Sequence, residues 1–145
     1  MPIALQDLGR AVKQLQYRHH RAMDRRLREA GTSLPQWDAL RAIARRSDLS
    51  AHALAEMTFQ SDQSFGALAN RLETRGLIKR VAGPGRAIRH RLTPKGEATL
   101  RKGYEVVDPV FEASFAPLTS GQRVELYKLL ARALVEGNPP QRVGF

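Results

Sequence analysis

The chain is predicted to be mainly α-helical with one small β-hairpin. Apolar residues recur at three- and four-residue steps along most of its 145 residues, and the period changes to alternation only around residues 77–92. Gly, Pro, Ser and Thr fall where helices start and stop. A chain of this length builds one full core, or one core plus extended oligomerisation helices, so a single domain over 1–145 is expected.

In the first predicted helix, from Leu5 to Ala30, Leu8, Val12, Leu15, Ala22, Met23 and Leu27 form an apolar stripe among many basic residues, and Gly31 ends it. Thr32 and Ser33 offer capping oxygens and Pro35 suits a first turn. A second helix therefore runs to about Arg46, with Trp37, Leu40, Ile43 and Ala44 as its stripe. Ser50 caps a short third helix carrying Ala53, Leu54 and Met57. After a turn at Phe59 to Ser61, Phe65, Leu68, Ala69 and Leu72 mark a fourth helix that stops at Gly76. Two short helices joined by a tight turn read as a helix-turn-helix, so functional weight falls on residues 50–76.

Leu77–Val81 and Ile88–Leu92 are the strands, with Gly83-Pro84-Gly85 between them. Thr93-Pro94 supplies a cap and a first-turn proline for a fifth helix that passes Tyr104 and is expected to bend or pause at Pro109. Thr119 to Gln122 has capping-box spacing, and Val124, Tyr127, Leu130 and Leu134 give the last helical stripe. The tail from Gly137 to Phe145 is expected to be loose.

The formal charge is +10, from 24 Lys and Arg against 14 Asp and Glu, which points to a polyanionic partner, nucleic acid first. No apolar run approaches the roughly 20 residues that cross a bilayer, and the first residues lack a secretory pattern; a cytoplasmic protein without a membrane role is expected. The absence of cysteine excludes disulfides, thiol redox sensing and thiolate metal sites.

The charge is concentrated. Between Thr74 and Gly96 there is no acidic residue, while Arg75, Lys79, Arg80, Arg86, Arg89, Arg91 and Lys95 are all basic. A hairpin so charged repels itself, and DNA phosphates relieve that repulsion, so the hairpin reads as a wing. The leading exposed positions of the preceding helix, Ser61, Asp62, Gln63, Ser64 and Ala67, are instead small or hydrogen-bonding. Gln pairs bidentately with adenine, Ser with either partner, and Ala touches a thymine methyl, which makes Gln63 the first candidate for base readout. Arg71 on the same helix, and Arg86 and Arg89 on the hairpin, complete the expected DNA contacts. Gly66, inside the helix, costs about 1 kcal/mol relative to alanine; close approach to DNA and a packing requirement account for it equally well.

Leu54-Ala55-Glu56, Ser61, Arg71-Leu72-Glu73, Arg75-Gly76-Leu77-Ile78 and Leu92-Thr93-Pro94-Lys95-Gly96 together resemble the MarR family of bacterial winged-helix regulators. The resemblance is strongest over residues 50–97 and extends in helical order over nearly the whole chain. It implies a winged helix-turn-helix over about 34–93, with N- and C-terminal dimerisation helices over about 5–30 and 94–137 that intertwine with a second copy. It also implies a homodimeric repressor straddling a pseudo-palindromic double-stranded DNA operator, released by a small aromatic or phenolic effector bound between the dimerisation helices and the winged domain. The family's wing carries Asp-x-Arg where this chain has Pro84-Gly85-Arg86, keeping the arginine and losing its aspartate.

Tyr17, His20 and Trp37 are candidates for an effector cleft, although aromatic residues at helical spacing are more often core. The arginines of the first helix more often solvate a face than reach DNA. The His19-His20 pair, His52 and His90 sit on different elements without metal-ligand spacing, so no metal or other cofactor is expected. Catalysis on nucleic acid would need clustered acids, which the sequence lacks. The remaining rival is an architectural nucleic-acid-binding protein without sequence preference, for which the uncharged face of Ser61 to Ala67 is less expected than a basic one.

Overall fold

A computed structural model describes residues 1–135 apart from 84 and 86. The order of elements is α1 (Leu5–Glu29), α2 (Leu34–Arg45), α3 (Ala51–Met57), α4 (Asp62–Thr74), β1 (Ile78–Ala82), β2 (Ile88–Leu92), α5 (Pro94–Phe115) and α6 (Ser120–Val135). The chain divides into two compact units, one ending at Val110 and the other beginning at Phe111.

Three of the helices in the first unit begin on a serine. Ser33, Ser50 and Ser61 accept from the backbone N–H of Gln36, Ala53 and Ser64, each taking up one donor that the first turn leaves without a carbonyl. Gly31 follows α1 with φ 93°, and the Asp24 carboxylate accepts from Leu34 N–H at 3.2 Å and from Arg28 Nε at 2.8 Å. The Arg28 hydrogen bond, opposed by partial burial, holds the Asp24 carboxyl below its ordinary range. The turn into α4 needs one left-handed residue, and Phe59 supplies it with φ 58° while lying 94% exposed. A bulky residue there is strained, and nothing among the described residues covers its ring.

The core lies beneath the helix-turn-helix. Ala39, Leu40, Ala42 and Ile43 of α2 pack with Leu54 and Ala55 of α3, Phe65, Leu68, Ala69 and Leu72 of α4, and Leu77 and Ile78. Trp37 is buried on the same helix, but Ala44 faces solvent despite its spacing. Leu77 was expected to open the first strand; instead its N–H bonds to the Leu72 carbonyl at 2.9 Å and closes the end of α4, so pairing starts one residue later. The hairpin is antiparallel, with Ile78 opposite Leu92 and Ala82 opposite Ile88.

The Leu-Thr-Pro-Lys-Gly run is a joint. Thr93 Oγ1 donates to the Gly76 carbonyl at 2.6 Å and accepts from Gly96 N–H at 3.0 Å, while Thr93 N–H reaches the Leu77 carbonyl at 3.1 Å. A Cβ on Gly96 would stand 2.0 Å from the Leu77 oxygen, so only glycine lets α5 start this close to the base of the wing. Helix α5 runs through Pro109 without pausing. In the second unit, Thr119 and Gln122 exchange the two bonds of a capping box at 2.9 and 3.2 Å. Val124, Tyr127, Leu130 and Leu134 of α6 are all exposed, as are Leu5, Leu8 and Val12 of α1, and Ile3 just before it, in the first unit. The expectation for the tail from Gly137 to Phe145 lies outside the described residues.

Candidate nucleic-acid interface

With Phe65, Leu68, Ala69 and Leu72 buried, helical geometry turns Gln63, Ala67, Asn70, Arg71 and Thr74 outward, and all five are exposed. Of the sequence-predicted contacts, Ser61 and Ser64 are partly engaged at the start of the helix: Ser61 Oγ accepts from Ser64 N–H at 3.0 Å and donates to Ser64 Oγ at 2.9 Å. Asp62 is held as well. His52 of α3 stands between two carboxylates, with Nδ1 at 2.8 Å from Asp62 and Nε2 at 3.2 Å from Glu56. Ser61, Asp62 and Ser64 thus set the leading turn of α4, and Gln63 and Ala67 present the outward surface.

Asn70 was missed in the sequence. It has the side chain of an adenine reader and lies seven residues after Gln63, two turns along the same exposed face. The buried set of α4, once known, would have located it by periodicity. Gly66 is partly buried, yet a Cβ there would meet nothing within 4 Å, so packing does not require the glycine.

Cross-strand partners share a face, so the register divides the hairpin. Ile78, Leu92 and His90 turn inward, and Lys79, Arg89 and Arg91 lie together on the other face, Lys79 directly opposite Arg91. Like charges opposite each other destabilise a ladder, and none of the described residues on this hairpin is acidic. Arg80 shares the inward face and stands 3.9 Å from Glu73 of α4. Arg89 bends toward the loop after α2, where its guanidinium donates to the Asp48 carbonyl. It therefore braces the wing against that loop. Arg86 and Pro84 lie outside the described residues.

His90 is 3% exposed, its ring edge-on to Phe65 of α4 with centroids 5.9 Å apart. Its Nδ1 has no partner among the described residues. Burial, reinforced by the Arg80 charge and opposed by Glu73, lowers its pKa below the ordinary 6.5, so the ring is neutral at pH 7.

The candidate effector residues separate. Tyr17 and His20 line a surface groove of about 690 Å³ along α1, with the Arg21 guanidinium 5.7 Å from the Tyr17 ring centroid. Trp37 is only 1% exposed and does not line that groove. Its Nε1–H donates to the Leu100 carbonyl at 3.1 Å, Tyr104 stands edge-on at 5.1 Å, and a Cβ on Gly103 would come within 1.9 Å of Nε1. Neighbouring Asp38 is half-buried; desolvation raises its carboxyl pKa against the pull of Arg41 and His20. Asp38 is the polar residue near His20 that sequence spacing did not single out. Among the described residues no three His, Asp or Glu side chains gather as a metal site, and no helix is long and apolar enough to cross a membrane.

The sequence model of the MarR family matches residues 30–87. Transcriptional regulator HosA of Escherichia coli O111:H- is 31% identical over 103 residues, covering 70% of this chain and 76% of that protein. The HTH-type transcriptional repressor Rv2887 of Mycobacterium tuberculosis is 28% identical over 104 residues, 70% of this chain and 75% of the repressor. The crystal structure of Rv2887 with p-aminosalicylic acid is similar with a TM-score of 0.73 at 25% identity, over 87% of this chain and 97% of that one. A mutant Escherichia coli MarR bound to operator DNA has the same fold, with a TM-score of 0.79 at 19% identity over 88% and 94% of the two chains.

Proposed function

Because the chain belongs to the MarR family of winged helix-turn-helix transcriptional regulators, and is not an enzyme, we propose that it represses transcription as a homodimer on a pseudo-palindromic operator. One observation carries this reading. The exposed face of α4 offers neutral hydrogen-bonding groups, Gln63 and Asn70, beside a wing whose outer face holds Lys79, Arg89 and Arg91. Neutral amides discriminate base edges, whereas cations position the protein on phosphates. In this reading Gln63, Ala67 and Asn70 face the major groove, Ser61, Asp62 and Ser64 set the helix that carries them, and Arg71, Arg86 and Arg89 contact the backbone. Gly66 permits close approach. The exposed apolar stripes of α1 and α6 are the surfaces that a second copy covers.

Rv2887 binds p-aminosalicylic acid and salicylic acid in its crystal structures. A small aromatic acid or phenol acting on this chain is consistent with that relative, and the α1 groove at Tyr17 and His20 is its candidate site. Trp37 would act there by supporting α2 from beneath. Such a ligand alters repression only if it binds the DNA-competent and incompetent arrangements with different affinity. A regulator of this kind works where the chromosome is, in the cytoplasm.

The test is selection of bound sequences from a random DNA pool, followed by affinity for the winner and for scrambled DNA across a salt series. An enriched inverted repeat bound well above the scrambled control is expected. Binding without any enriched motif would replace this reading with an architectural one.

A further inference from the structure

The turn between α1 and α2, the cap of α4 and the first turns of α5 enclose a pocket of about 230 Å³. Arg75, Lys95 and Lys102 line it, and no carboxylate does. Lys95, Thr99 and Lys102 succeed one another at helical spacing along one face of α5. The hydrogen bonds of these cations go to neutral acceptors only: Arg75 to Gln36 Oε1 and, at 3.0 Å, to the Gly31 carbonyl, and Lys95 to the Arg75 carbonyl at 2.9 Å. Among the described residues, none of the three lies within 4.0 Å of a carboxylate. Three unneutralised cations around one cavity repel each other, and an anion placed between them reverses the sign of each interaction.

We propose that this pocket binds a small free oxyanion, a compact carboxylate or phosphate, and that its occupancy is coupled to DNA affinity through Arg75. The coupling rests on the regulator reading above; the binding site does not. Sites for drug-sized ligands occupy about 300–1,000 Å³, so this pocket takes an anionic group with few other atoms. It shares no lining residue with the groove at Tyr17 and His20, which runs along α1 as far as Glu29. It is also at the opposite end of α4 from Gln63, about 20 Å away for a helix of thirteen residues. That distance separates it from Gln63; Arg71, proposed to meet the operator backbone, stands one turn from Arg75, and the effect of phosphate on DNA binding distinguishes a free anion from an operator phosphate. Charge-assisted hydrogen bonds are about twice as strong as neutral ones. A bound oxyanion therefore draws the Arg75 guanidinium from Gln36 and Gly31, loosening the tie between the α1–α2 turn and the end of the recognition helix.

The full-length, DNA-free chain is titrated with inorganic phosphate at constant ionic strength, with chloride as the exchanged ion, and followed through its backbone amide resonances. Saturable shifts centred on Gly31, Thr99 and Gly103 are expected. Lys102→Gln, which removes a charge but no hydrogen bond of the described residues, weakens binding by about tenfold, and Lys102→Arg retains it. Shifts that do not saturate, that spread evenly over the basic surface, or that are unchanged in Lys102→Gln overturn the site. In a second arm phosphate weakens DNA binding by the wild type and not by Lys102→Gln. Equal weakening of both would mean competition at the DNA contacts and overturn the coupling. Failure of the chain to bind any DNA, with saturable phosphate binding intact, would overturn the regulator reading and the coupling while leaving the pocket established.

Discussion

Gln63 and Gly103 lie at opposite extremes of exposure, and each has one dominant physical role. Gln63 is exposed on α4, and in the proposed reading its amide pairs with a base edge, a contact that discriminates by roughly 1–3 kcal/mol. Gln63→Ala is expected to relax sequence preference at one position of the operator and leave binding to random DNA unchanged, as measured on a panel of single-base operator variants. Equal loss on every sequence would make Gln63 a backbone contact. Gly103 is buried against the Trp37 indole, with 1.9 Å available to an added Cβ. Gly103→Ala forces apart α2 and α5 and is expected to cost about 1–3 kcal/mol or more, read from chemical denaturation with tryptophan emission as the probe. The sequence placed Gln63 at the leading turn of its helix. It contained no sign of the Gly103 contact, because Trp37 and Gly103 meet only after the chain between them has folded.

At the scale of elements, recognition helix and wing are joined from below by His90 on β2, packed against Phe65 on α4. Its pKa is lowered by burial and by Arg80, so protonation favours the unfolded chain. Stability from this group is complete above the ordinary value of 6.5 and is lost as pH falls through and below it toward the depressed value. Denaturation midpoints at pH 7.5 and 5.5 are expected to fall with acidification more in the wild type than in His90→Phe, whose ring cannot charge. Parallel declines would assign the acid sensitivity to other groups. Periodicity located α1 to α4 to within about two residues, since the same buried stripe that a helix needs is what the pattern records, but it set no end for α5, which runs through Pro109 to Phe115. It misplaced the first strand by one residue, because the Leu77 N–H serves the end of α4, a choice between two acceptors that alternation does not encode.

At the scale of the whole molecule, each of the two units exposes an apolar stripe, on α1 in one and on α6 in the other. Such surface is costly in water, at roughly 25 cal/mol per Å², and a second copy is the expected cover. Removing residues 1–16 deletes Ile3, Leu5, Leu8 and Val12 and is expected to leave a monomer by sedimentation velocity, with the core around Leu40, Leu54 and Leu72 still folded. A truncated chain that remained a dimer would place the interface elsewhere.

The sequence by itself determined the helical class, the hairpin, the family and the charge that points to DNA, since all of these follow from local spacing, capping chemistry and composition. The burial of Trp37, the bend of Arg89 toward Asp48, the outward place of Asn70, and the gathering of Arg75, Lys95 and Lys102 around one cavity were decided by tertiary structure alone. Periodicity fixes which side of an element is apolar. What that element meets there is set by contacts between residues far apart in the chain, and no local pattern carries them.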